Sequence, residues 1–265
     1  MVFINVFIYL IVFILGTTIG SFLNVCIYRI PEKISIVKPR SRCGSCGRTL
    51  EAIDLIPIFS WIILRGKCRT CGVKISPRYA IVELITGLLF VWIFLIYGLV
   101  LTTPILWVFF SFLVVVFFID LDHMIIPNKV VITGMVLGLL VLGVQIYEGY
   151  PLYMSDSVWS FVLGPLVPMF TMLALAMASM IFYRAGGLGM GDVKVYLPIG
   201  MFLGWRLSLL SLWFAFLFGG LFGMVWIFIL RRDKKANIPF GPFIVLGAMI
   251  SALYGLQIFN NLFYR

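Results

Sequence analysis

Asp120 and Asp192 are the residues most suited to chemistry in a chain otherwise dominated by apolar side chains. Asp120 closes an apolar run in Phe118-Ile119-Asp120-Leu121-Asp122-His123, and Asp192 opens another in Gly186-Gly187-Leu188-Gly189-Met190-Gly191-Asp192-Val193-Lys194. An ionisable group at or inside an apolar segment is expensive, which makes each a functional candidate. Two carboxylates brought together cannot both ionise cheaply, so they share a proton and offer a base and an acid at once. Peptide hydrolysis needs that combination: one carboxylate draws a proton from the attacking water while the other supports the developing oxyanion. Gly189 and Gly191 let a strand or helix approach the backbone beside Asp192, because no Cβ stands in the way. Residues two apart on a helix point to nearly opposite sides, so spacing alone leaves Asp122 open as an alternative to Asp120. The plain alternative is that all three aspartates solvate helix ends. His123 reads as an interfacial side chain.

A second constellation is Cys43-Gly44-Ser45-Cys46 followed by Cys68-Arg69-Thr70-Cys71. Two CxxC pairs about twenty residues apart suit a tetrahedral thiolate zinc site formed by Cys43, Cys46, Cys68 and Cys71, around which a loop too small for a hydrophobic core can fold. Reducible disulfides or separate redox pairs are the competing readings. Cys26 lies in an apolar run and reads as packing.

The elements that must position these groups are membrane helices. The 265 residues are 63% hydrophobic and 11% charged, against about 25% charged in ordinary soluble domains. The net charge of +10 resides mostly in loops between apolar runs, which argues against nucleic acid as a partner and for membrane lipid. There is no Walker motif, dinucleotide fingerprint, internal repeat or low-complexity tail. Apolar runs near residues 3–27, 79–97, 103–119, 131–147, 158–183, 207–230 and 238–259, with a short one over 195–205, predict an all-α polytopic protein of about eight spans. The short run counts as a span because Lys194 can snorkel to the interface. The first run lacks a basic region before it and reads as a retained span.

Lysine and arginine in short loops mark the cytoplasmic side. The loop from Arg29 to Arg78 is strongly basic, and alternation from it places Asp120–Lys129, Arg184–Asp192 and the cluster Arg231, Arg232, Lys234 and Lys235 on the same side. Both candidate aspartates therefore fall at one cytoplasmic face. The expected division is 1–28 as a first span, 29–78 as a cytoplasmic tetracysteine domain and 79–265 as the membrane domain. Physics alone also permits a proton-coupled secondary transporter, or a scaffold whose metal loop docks partners.

Several blocks in order resemble the bacterial type IV prepilin peptidases. Gly20-Ser21-Phe22-Leu23-Asn24-Val25 with Tyr28-Arg29-Ile30-Pro31 is similar to that family's N-terminal signature; Pro39, Ser41, both CxxC pairs, Ile75-Ser76-Pro77-Arg78-Tyr79 and Glu83 are similar to its cytoplasmic domain. Asp120 with Ile126-Pro127, Gly189-Met190-Gly191-Asp192 with Lys194, and Ile238-Pro239-Phe240-Gly241-Pro242-Phe243 follow. The resemblance implies a GxGD-type aspartic peptidase in the bacterial inner membrane, with Asp192 the motif aspartate, Asp120 its partner, and Gly189, Gly191 and Lys194 supporting the loop. It implies prepilins and pseudopilins of pilus or secretion systems as substrates, and N-methylation of the new terminus from S-adenosylmethionine. Asn128 stands where the family commonly has an acidic residue, and Ala80 where a proline is common.

Overall fold

The computed structural model describes residues 2–148, 159–182, 188–229 and 238–263. Arg184, Gly186, Gly187, Asp156 and the cluster Arg231, Arg232, Lys234 and Lys235 lie outside the described residues. The chain forms two compact units, Met1–Val115 and Val116–Arg265. Helix dominates throughout, and six helices are long and apolar enough to cross a membrane, with Asn128–Val144 a shorter apolar one. The protein is an all-α, multi-pass membrane protein.

In the first unit, α1 (Val2–Arg29) packs along α3 (Arg78–Tyr97). Small residues permit the approach: a Cβ on Gly16 would sit 2.8 Å from the Gly87 backbone, and one on Gly20 2.8 Å from that of Glu83. Without a hydrophobic force between helices in lipid, such close contacts and buried polar bonds hold them together. Asn24 supplies one, donating from Nδ2 to the Tyr79 carbonyl at 2.9 Å. Between these helices runs the loop carrying the short α2 (Phe59–Ile63), and the buried Glu83 accepts the Ile58 N–H at 2.7 Å. Ile58 has φ 63°, unfavourable for a β-branched residue, so the loop is held against local preference. Helix α3 ends where a turn was expected, at Gly98, and α4 (Thr102–His123) follows.

In the second unit, α5 (Asn128–Glu148), α6 (Trp159–Phe182) and α8 (Gly241–Phe263) all pack on α7 (Met190–Met224), which continues into a π-helical turn over Val225–Ile229. Gly164 and Gly200 meet backbone to backbone between α6 and α7. The sequence suggested two spans over 195–205 and 207–230; α7 covers both but is broken at Gly204, whose φ of 70° and ψ of 172° are not helical. The hydroxyl of Tyr196 lies beside that of Ser211, whereas fifteen residues of straight helix would separate them by about 22 Å. The two halves of α7 therefore fold back on each other, as two successive spans must.

Candidate active site and candidate metal centre

Helix α4 ends in a tight closure in which the Met124 N–H donates to the Asp120 carbonyl at 2.8 Å and Met124 takes φ 52°. That closure leaves Asp120 inside, 4% exposed, while Asp122 and His123 are exposed. Of the two aspartates that sequence left open, Asp120 is the one turned into the protein. Its Oδ2 accepts the Gly241 N–H at 2.8 Å, a bond across 121 positions that fixes the carboxylate to the start of α8. A Cβ on Gly241 would lie 2.6 Å from the same oxygen, so glycine is the residue that allows this seat.

Asp192 is the third residue of α7, 8% exposed, and its Oδ2 accepts the Gly189 N–H at 3.2 Å. A carboxylate here satisfies an amide that the first helical turn leaves unpaired and faces the positive end of the helix dipole. Asp192 lies near enough to Asp120 to feel its charge. In both side chains Oδ2 is anchored by a backbone amide. Gly191 makes room for the segment after α4, since its Cβ would lie 3.2 Å from that of Ile126. Gly189 has φ −71°, and a Cβ there would lie 3.4 Å from Asp192 Oδ2, in ordinary contact with the site. Lys194 Nζ donates to Asn128 Oδ1 at 3.3 Å, tying the start of α7 to the start of α5.

The four cysteines of the loop converge so that their Sγ atoms all lie within 4.8 Å of one another. Each sits in the same small turn: Cys43 N donates to the Arg48 carbonyl and Cys68 N to that of Val73, both at 2.8 Å, with Gly47 at φ 70° and Gly72 at φ 69° closing the turns. Only a residue without Cβ takes that conformation at little cost. The amides of Cys71 and Thr70 hold the Cys68 thiol down to about 6, and those of Cys46 and Ser45 lower Cys43 likewise. For Cys71 the Val73 amide pulls the same way, but burial and the neighbouring thiols prevail and push it up to about 11. The cluster is built for a cation that the thiolates would share. Beside it, Arg48 from one turn and Arg69 from the other converge on Asp54, at 2.8 Å and 3.4 Å, and Arg69 also reaches Glu51 at 2.6 Å. Cys26 is buried within α1, apart from this set in sequence.

The model of the bacterial peptidase A24 N-terminal domain matches residues 14–97, and that of the type IV leader peptidase family matches residues 107–224. A Bacillus subtilis (strain 168) protein named prepilin leader peptidase/N-methyltransferase is 36% identical over 256 residues, covering 94% of this chain and 96% of its own length. The chain belongs to the type IV leader peptidase family. A protein of the same name from Myxococcus xanthus (strain DK1622) is 38% identical over 220 residues, 83% of this chain, which spans 63% of that relative. Another from Aeromonas salmonicida (strain A449) is 32% identical over 273 residues, 92% of this chain and 90% of its own. No solved structure matches. Membership of a peptidase family decides against proton-coupled transport. Two contributors to the geometry within this family member were not singled out by sequence as site residues: the Gly241 amide and the Asn128 side chain. The first leaves no side-chain signal, and the second was noted only as standing where the family commonly has an acidic residue.

Proposed function

We propose that the protein removes the short basic leader of type IV prepilins and pseudopilins at the cytoplasmic face of the membrane, with Asp120 and Asp192 as the catalytic pair. The observation that carries this reading is the buried pair itself, each carboxylate fixed through Oδ2 by a backbone amide. One carboxylate, ionised, takes a proton from a water whose oxygen bonds to the scissile carbonyl carbon. The other, protonated, donates a hydrogen bond to the carbonyl oxygen as it gains charge. Collapse of the tetrahedral intermediate breaks the C–N bond as the nitrogen receives a proton, and the pair returns to one shared proton. The basic loop between Arg29 and Arg78 supports placement of the site on the cytoplasmic side, where the apolar helix of a precursor would enter from lipid and leave its leader in water.

We infer a second step, N-methylation of the newly exposed terminus with S-adenosylmethionine as co-substrate, supported by the names of the relatives. We also assign zinc to Cys43, Cys46, Cys68 and Cys71. Four sulfurs about 2.3 Å from a tetrahedral zinc lie roughly 3.8 Å apart, and Cys43 Sγ and Cys71 Sγ are separated by 3.8 Å. The ion would serve as the core of segment 29–78 while 79–265 carries peptidase chemistry. The test is to incubate the detergent-purified protein with a precursor pilin, with and without S-adenosylmethionine, beside the Asp192→Asn variant. Leader loss with the native protein alone, and one added methyl mass when the donor is present, are the expected masses. Absence of cleavage across several precursors would overturn the peptidase reading.

A further inference from the structure

Between the two cysteine turns the loop carries an apolar stretch, Leu55-Ile56-Pro57-Ile58-Phe59-Ser60-Trp61-Ile62-Ile63-Leu64, with no charge from one end to the other. Segments outside the long helices ordinarily turn such side chains inward, yet here Ile56, Phe59, Ile62 and Ile63 are 46%, 60%, 57% and 76% exposed. Phe59, Ile62 and Ile63 fall three and four positions apart on α2, so they share one face. A contiguous exposed apolar face marks a surface that something else covers.

Two contacts fix how deep this face lies. The Ile58 N–H donates to Glu83 at 2.7 Å, and Glu83 stands five positions into the span Arg78–Tyr97, about 7.5 Å of helix. Glu83 in turn meets Gly20, nine positions before the end of the span Val6–Arg29, about 13 Å of helix. Leu55 shares a cavity of about 290 Å³ with Phe22 and Val25 of that same span. The segment thus enters beside the end of α1 and at Ile58 has reached the level of Glu83, inside the length that both spans cross. Backbone at such depth needs partners within the protein, because hydrocarbon offers none. The amides of Phe59, Ser60, Ile62, Leu64, Arg65 and Gly66 all donate to carbonyls within residues 56–62. Pro57 has no N–H to satisfy, and Ile58 gives its own to the Glu83 carboxylate. A loop in water needs no carboxylate for one amide, since solvent serves. The Trp61 indole likewise has a partner, donating to the Ile75 carbonyl at 3.1 Å.

We propose that segment 55–64 is re-entrant and seated in the bilayer, with the face of Ile56, Phe59, Ile62 and Ile63 packed against phospholipid acyl chains just below the headgroups. An interfacial helix seats its apolar face about 5–10 Å into that boundary, which is the depth that Glu83 gives Ile58. The ends of the segment fit the same placement. Asp54, just before it, is held by Arg48 and Arg69 among the polar groups of the cysteine turns. Arg65 and Lys67, exposed just after it, suit contact with phosphate headgroups. The tetracysteine loop is then pinned to the membrane through the chain between its two CxxC pairs. This placement depends neither on the peptidase reading nor on zinc.

The test uses the full chain in vesicles of phosphatidylethanolamine and phosphatidylglycerol, doped with a phosphatidylcholine carrying a diazirine on an upper carbon of one acyl chain. Light turns the diazirine into a carbene that inserts into the side chains it touches, and mass spectrometry of the digested protein locates the adducts. Leu84, exposed on α3 beside Glu83, serves as the lipid-facing reference, and Val73, exposed in the second cysteine turn, as the water-facing one. Adducts on residues 59–63 are expected at a yield severalfold above Val73 and comparable to Leu84. A yield no greater than at Val73 overturns the proposal and leaves the face to a protein partner. Glu83→Ala, which removes the acceptor of the Ile58 amide, is expected to lower the yield at 59–63 severalfold while Leu84 stays labelled, and Glu83→Gln, which keeps an acceptor, to retain it. An unchanged yield in Glu83→Ala refutes the part assigned to that bond. The native protein decides the seating even where Glu83→Ala does not insert.

Discussion

The tetracysteine loop and the aspartate site are ordered by opposite means. Between residues 42 and 74 the loop is held by short-range turns, four thiols and the Arg48–Asp54–Arg69 network, with many apolar side chains left exposed. The aspartate site is held by helix ends far apart in sequence, packed through glycines and fixed by two backbone amides. A loop of the first kind would depend on any ion its thiols hold, because ligand binding and folding are then one equilibrium. A site of the second kind depends on steric fit, because packed helices pass small displacements to the groups they carry.

The largest effect that separates the two regions is loss of either carboxylate. Asp120→Asn or Asp192→Asn is expected to lower leader cleavage by about a thousandfold, within the range for a positioned acid or base, while membrane insertion and metal content stay as in the native protein. Asp122→Asn, at an exposed position, retains most activity; equal loss there would break the assignment of Asp120. Next comes Gly241→Ala, whose new methyl group would press on the Asp120 carboxylate. Cleavage should fall about a hundredfold, as misplacement of a reacting group by about an ångström does, with KM little changed; native activity would show that α8 yields. Third, metal analysis is expected to return about one zinc per chain, as one tetrahedral four-thiolate site requires. Chelation then makes segment 29–78 sensitive to protease, while the helical circular dichroism of the membrane part persists. Protease resistance unchanged after metal removal would show that the ion pairs suffice to hold the loop. The smallest effect is expected from Asp54→Asn, which removes the charge between the two arginines: faster loop proteolysis, and cleavage within about twofold, since screened ion pairs contribute modestly.

Much of this protein was legible in its residues. The convergence of the four cysteines followed from spacing, because each CxxC turn closes through bonds between near neighbours. The spans followed from length and apolarity, and the break near Gly98 from local turn residues. Even the division of the long 190–229 helix was visible as two apolar runs meeting at Arg206, although helical geometry continues up to and beyond Gly204. Composition and order of motifs sufficed for the family.

Tertiary structure decided the rest. Which of Asp120 and Asp122 is buried turns on which way the last turn of α4 faces, and period alone permits either. The seat for Asp120 comes from a main-chain N–H at Gly241, a group every residue but proline has, so no side chain announces it. Gly191 and Gly189 look alike in the motif but differ in the fold: one clears Ile126 and the other borders the Asp192 carboxylate. Sequence determines what is local, namely turns, ligand spacing and apolar length, because those energies belong to neighbouring residues. Which carboxylate is buried and what holds it depend on contacts among residues 120, 192 and 241, which only packing brings together.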